Sequence, residues 1–309
     1  MSPVADAVLP VFSILALGYA AARLKWFDEA ASRGLALFVF NFAVPFLLFD
    51  ALADTELPNP FPWGFWVAYY ASALATFATG MAVGGLWRRP WADRALGGFT
   101  ASFSNTVLLG VPLILGALGE AASLPVFLLI ALHPTIMMTA VTVLLEVGSA
   151  RQSLAQLPLR VAKGLVSNPV IIGLGAGIAA AALDFTPPKP LAVAIAHLGD
   201  AVTPCALFSL GVGLSRYRIK GQLGMACALT SLKLLFQPLL VWGLLTWVFT
   251  VETLWLQVAV LMAAMPTGVN SYLFAQRYGT SVEVTTTAVF LSTMASMVTL
   301  SALVALLTG

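Results

Sequence analysis

The chain reads as a succession of apolar stretches, each near the length of about 20 residues that a helix needs to cross a bilayer. Ten follow one another, at 3–23, 32–52, 62–87, 95–118, 123–146, 167–184, 190–215, 222–248, 253–276 and 282–308. The pattern predicts an all-α polytopic membrane protein with ten transmembrane helices. The connections are short and carry Pro58, Pro60, Pro62, Pro90, Pro187, Pro188 and Pro190, which punctuate helices. The longest, 147–166, sets Arg151, Arg160 and Lys163 among Leu154, Leu157, Leu159, Val161 and Leu165. That mixture suits a segment lying on anionic headgroups, with a plain loop as the alternative. Residues 7–22 have the apolar length of a signal peptide, with Ala20, Ala21 and Ala22 in place of a cleavage site. Yet Asp6 precedes them and Arg23 and Lys25 follow, the reverse of a secretory leader. An uncleaved first helix with its N-terminus outside is expected.

Two of the stretches are not apolar throughout. The fourth contains SFSNTVLLGVPL, from Ser102 to Leu113, and the ninth contains MPTGVNSY, from Met265 to Tyr272. Proline lacks an N–H and crowds the preceding turn, so Pro112 and Pro266 predict kinks or breaks. A broken helix frees backbone groups at membrane depth, which is tolerated only beside protein or a water-filled cavity. The second and seventh stretches match more loosely: NFAVPFLLF holds Asn41 and Pro45, and GDAVTPCALF holds Asp200 and Pro204. The 147–166 connection leaves five spans on each side, so the second half would be inserted upside down relative to the first. The expected organisation is a first five-helix repeat over 1–149, a linker over 150–166 and a second repeat over 167–309. Paired interruptions at corresponding positions of two inverted repeats point to a transporter's binding site. The competing explanation is that Pro and Gly are common in membrane helices.

Composition strengthens the class: 60% of residues are hydrophobic and 9% charged, against about 25% charged in soluble domains. A net charge of +2 argues against a nucleic-acid partner. The charges are segregated. Connections after the odd-numbered spans hold 13 of the 15 Lys and Arg residues; the opposite side has Lys189 with seven acids, including Asp50, Glu120 and Glu252. The positive-inside rule then puts odd-numbered connections in the cytoplasm and both termini outside, in a plasma membrane of the bacterial inner-membrane type.

Ionisable residues inside the spans are few: His133, His197, Asp200 and Lys233. Each costs on the order of 2.5–3.5 kcal/mol at the helix centre, so each needs a partner, a cavity or a function. Asp200 and Lys233 fall near mid-depth of adjacent spans, which suggests an ion pair, either structural or part of a proton or cation relay. His197 shares the Asp200 face; His133 precedes Pro134 and reads as capping a kink. Asn105 and Asn270 are neutral, both donate and accept, and stand beside the predicted breaks. With Ser104, Thr106, Pro112, Pro266, Thr267 and Gly268 they form the candidate substrate site, with Asp200, Lys233 and His197 as candidate ion-coupling groups. The amides would otherwise serve freed backbone groups of the crossing. Cys205 and Cys227 read as buried thiols rather than a disulfide, without metal-ligand spacing. Trp26, Trp63, Trp66, Trp87 and Trp91 cluster near span ends as interfacial anchors. The sequence contains no P-loop, GxSxG, HExxH or CxxC motif, which argues against an enzyme, a metal or organic cofactor, and ATP-driven transport.

The runs SNTVLLGVPLILGALG, SNPVIIGLGAGI, LGDAVTPCALFSLGVGLS and AAMPTGVNSYLFAQRYG resemble the auxin efflux carrier family, whose bacterial members include malate and malonate permeases. The resemblance covers most of the chain. It implies two inverted five-helix repeats, similar to bile acid:sodium symporters, with broken fourth helices crossing near Pro112 and Pro266. It also implies substrate between a scaffold part and a mobile part, contacts from Asn105 and Asn270, elevator-type motion and a homodimer through scaffold helices. The short 147–166 link departs from the long cytoplasmic loop of the large plant carriers, so regulation through such a loop is not expected. The expected function is secondary transport of a small organic anion, a carboxylate such as malate, malonate or an auxin-like acid, with H+ or Na+ as possible coupling ion. A sodium-coupled bile-acid-type symporter and a passive channel are the alternatives; a sensor without transport is disfavoured by the lack of a sizeable soluble domain.

Overall fold

Apolar side chains around the whole circumference of a segment favour helix in lipid, where every backbone group must be paired within the segment. The computed structural model describes residues 3–53, 61–149, 157–217, 219 and 223–308. Each of the ten apolar stretches is helical, and the described residues contain no β-strand. The helices are α1 (Pro3–Arg23), α2 (Glu29–Phe38), α3 (Val44–Ala53), α4 (Trp63–Leu86), α5 (Trp91–Ser102) and α6 (Val111–Leu118). There follow α7 (Ser123–Ser149), α8 (Leu157–Val166), α9 (Pro169–Ala182), α10 (Lys189–Asp200) and α11 (Val202–Leu214). The last five are α12 (Leu223–Ser231), α13 (Gln237–Trp247), α14 (Thr253–Ala264), α15 (Asn270–Tyr278) and α16 (Val282–Thr308). Six continuous helical runs are long and apolar enough to span a membrane: Glu29–Ala53, Trp63–Leu86, Glu120–Val147, Lys189–Leu214, Leu223–Trp247 and Val282–Thr308. Four shorter apolar helices accompany them, at Ala7–Arg23, Thr106–Leu118, Pro169–Ala182 and Thr253–Ala264.

Two compact units divide the chain, and neither is a half of the sequence. The first comprises Met1–Phe61, Val107–Leu132 and Arg160–Arg216; the second comprises Pro62–Thr106, His133–Leu159 and Tyr217–Gly309. In the first unit α1 packs on α11 and α3 on α9. Small residues permit these close approaches, as is usual between helices in lipid. A methyl group at Gly18 would run into the Phe208 carbonyl, and one at Gly211 into the Leu15 carbonyl. Gly173 lies as tightly against Pro45 of α3, with Gly177 over Leu52. Ser32 and Ser209 exchange hydrogen bonds between α2 and α11. Glu29 pairs with Arg33 at 2.9 Å and with Arg216. The second and seventh stretches also meet here, α3 against α10, and both are irregular: Val39–Ala43 is π-helical and the seventh turns at Ala201.

In the second unit α4 packs on α5, α13 on α14 and α12 on α16. Phe77, Leu96, Phe99, Phe103, Met137 and Val141 form one apolar cluster, and Met225, Leu229, Val284 and Ala288 another. Trp63, Trp87 and Trp91 stand exposed at helix ends. The linker is helical over Leu157–Val166 with Leu159 and Val166 exposed, while 150–156, including Arg151 and Leu154, lies outside the described residues. Both cysteines are free thiols. Cys227 is exposed on α12 rather than buried, because its neighbours Met225 and Ala226 take the inward face.

Candidate functional site

The two polar interruptions come together inside the second unit. α5 ends at Ser102 and α14 at Ala264, and the chain beyond each is extended. There Ser104 and Thr267 form an isolated antiparallel bridge. The Asn105 N–H donates to the Pro266 carbonyl and the Gly268 N–H to the Phe103 carbonyl, both at 2.8 Å. These two bonds satisfy groups that each broken helix would otherwise leave bare in an apolar setting. The approach needs glycine at 268: a Cβ there would stand 2.6 Å from the Phe103 ring and 3.1 Å from the Ser104 carbonyl oxygen.

Side chains complete the bridge. The Ser104 N–H donates to His133 Nε2 at 3.1 Å, and the Thr267 N–H to Ser292 Oγ at 3.1 Å. Thr267 Oγ1 donates to the Thr100 carbonyl at 2.9 Å. His133 is fully buried, stacked on Phe103 at 5.0 Å and edge-on to Tyr69 at 5.7 Å. Since Nε2 accepts, the ring is neutral with its proton on Nδ1, which faces the Tyr69 hydroxyl at 3.5 Å.

With the main chain so served, amide and hydroxyl groups are left over. Asn105 is 6% exposed, and its Nδ2 has no partner among the described residues; the same holds for the fully buried Ser271 Oγ. Asn270 is half-buried as the first residue of α15. The site therefore offers an asparagine N–H pair, a hydroxyl and the start of a helix, a set suited to an anionic oxygen.

Asn105, Ser104, Thr106, Pro266, Thr267, Gly268 and Asn270 all belong to the second unit and to the two stretches that cross there. Pro112 is different. It sits at the start of α6 in the first unit, within a helix already running from Thr106 through a π-helical turn to Gly110. The fourth stretch breaks at 103–105, not at its proline. The π-helical turn before Pro112 absorbs its missing N–H within the continuing helix, whereas Ser104 and Asn105 find bridge partners in extended form. Lys233 is fully buried and donates to the Ala263 carbonyl in its own unit. Asp200 and His197 belong to the first unit, exposed at the end of α10. Among the described residues no group of three or more His, Cys, Asp or Glu side chains gathers as for a metal.

Sequence reasoning passed over Ser271 and Ser292, and it read His133 as capping a kink at Pro134 where the ring accepts from the Ser104 N–H instead. The usable signal for Ser292 was the small polar row Thr285, Ser292, Thr293 and Ser296 along α16, all fully or almost fully buried.

Known transporters resemble the chain along nearly its whole length. Residues 3–304 match the family described as membrane transport protein. A protein of Rhizobium meliloti (strain 1021) bearing the name "Putative malonate transporter" is 32% identical, over 99% of this chain and 97% of its own length. An "Uncharacterized transporter" of Methanothermobacter thermautotrophicus is 25% identical over 96% of this chain and 95% of its own. "Auxin efflux carrier component 8" of Arabidopsis thaliana is 24% identical over the same shares.

Proposed function

The chain belongs to the membrane transport protein family of auxin efflux carriers and their microbial relatives, and on that premise we propose that it is a secondary carrier for a small organic anion bound at the Ser104–Thr267 crossing. The observation that carries this reading is the buried Asn105 amide, unpartnered among the described residues, in a crossing whose main chain is already served. A buried donor left unpaired costs about 1–3 kcal/mol, and a carboxylate oxygen would recover that cost. The name of the R. meliloti relative makes malonate the first substrate to try. Asn105 and Asn270 would hold the carboxylate, with Ser104, Thr106, Thr267 and Gly268 shaping the main chain around it.

The two units support an alternating-access motion of elevator type, with the second unit carrying the site and the first acting as scaffold. Ten crossings arranged as two inverted five-helix repeats, termini outside a bacterial inner membrane and a homodimer through the first unit complete the proposal. Asp200 and His197, ionisable groups in the last turn of α10 in the first unit, are the proposed ion-coupling groups. Counterflow separates a carrier from a pore: proteoliposomes preloaded with unlabelled malonate should accumulate labelled malonate transiently above equilibrium. Saturation without counterflow, or flux linear in malonate, would make the protein a channel.

A further inference from the structure

Lys233 has no exposed surface and lies in a π-helical turn, Leu232–Phe236, closed by a bond from the Gln237 N–H to the Leu232 carbonyl. Such turns recur at functional positions because they cost regular helix bonding. The Lys233 ammonium donates to the carbonyl of Ala263, next to last in α14. That carbonyl is among the final four that a helix cannot pair internally, and it carries the negative end of the helix dipole. In carriers with broken helices, carbonyls at such ends are ligands for the coupling cation.

Among the described residues the helices packed on Lys233 offer no opposite charge to it. The π turn contacts α4, α5, α12, α13, α14 and α16. Of these, α4, α12, α13 and α14 contain no Asp or Glu. On α5, Asp93 is bound by Arg89 at 2.6 Å and by Thr280, and Arg94 donates to the Met81 carbonyl. On α16, Glu283 is exposed in the first turn. One turn beyond Lys233, Gln237 is fully buried with neither amide atom partnered. A buried ammonium without a counter-charge costs several kcal/mol, so packing alone is a poor reason for it.

We propose that Lys233 is a built-in cation: its ammonium holds the carbonyl end of α14 where a coupling Na+ would otherwise sit, and it balances the charge of a carboxylate at the crossing. The second clause rests on the carrier reading above; the first does not. The test is thermal unfolding of the purified parent, Lys233→Ala and Lys233→Met in choline, sodium and methylammonium chloride. The parent should unfold at the same temperature in choline and sodium. Lys233→Ala should unfold several degrees lower in choline and regain most of the loss in methylammonium or sodium, which can enter the space left by the truncated stem. Lys233→Met, which keeps the volume without the charge, should fold without responding to cations and bind malonate about tenfold or more weakly than the parent, as removal of a buried charge partner does. Specific stabilisation of the parent by Na+, or a Lys233→Ala protein indifferent to every cation, would overturn the built-in cation. Parental malonate affinity in Lys233→Met would overturn the charge balance. A parent that responds to no malonate would count against the carrier's substrate alone and leave the cation rescue readable.

Discussion

At the scale of the residue, His133 and Asn105 have complementary parts. His133 spends its acceptor on a backbone N–H of the crossing, while Asn105 keeps its amide N–H pair unspent. Replacing His133 by Phe should preserve the stacking on Phe103 and leave the Ser104 N–H unpaired, at a cost of about 1–3 kcal/mol. Thermal unfolding should therefore fall by a few degrees, and His133→Gln, which restores an acceptor, should recover part of the loss. A His133→Phe protein as stable as the parent would show that Ser104 finds its partner elsewhere. Asn105 and Asn270 were legible from the sequence, because a polar residue beside a proline in an apolar span has few explanations. His133 was not: its partner lies 29 positions away and is a main-chain group exposed only by the break. Lys233 was legible as an anomaly but not in its contact, since a carbonyl at a half-helix end leaves no trace in side-chain pattern.

At the scale of the element, the polar runs located both interruptions, and the apolar runs located every helix but α8, which lies in the 147–166 connection. The position of the break within the fourth stretch was misread from Pro112. Proline marks where a helix loses one bond; the chain leaves helix where alternative partners exist, and Ser104 and Asn105 find them on Thr267 and Pro266. The opposite strand of that bridge depends on Gly268. Gly268→Ala should push the Phe103 ring or the Ser104 carbonyl aside and reduce malonate uptake about tenfold or more, since small displacements at a binding centre are costly. Phe103→Leu in the same protein should restore part of the activity by giving the new methyl room. Full uptake by Gly268→Ala alone would mean that the close approach is dispensable.

At the scale of the whole molecule, the sequence showed class and charge asymmetry and suggested two comparable halves, but not the way the chain distributes itself between units. Each unit takes helices from both halves, so no linker in the sequence marks the boundary between them. That boundary follows from long-range packing of small residues, such as Gly18 on α11 and Gly211 on α1, which a linear hydropathy pattern does not reveal. The central claim is that the crossing in the second unit binds a carboxylate. It is tested most directly by thermal unfolding of the parent, Asn105→Ala and Asn270→Ala with malonate, malate, succinate and indole-3-acetate. Ligand at about a hundred times its Kd stabilises a folded protein by about 2.7 kcal/mol. The account predicts that at least one carboxylate raises the unfolding temperature of the parent, and that both variants unfold like the parent without ligand but lose that rise. Equal stabilisation of all three proteins by the same carboxylate would place the binding site away from the crossing and contradict the account.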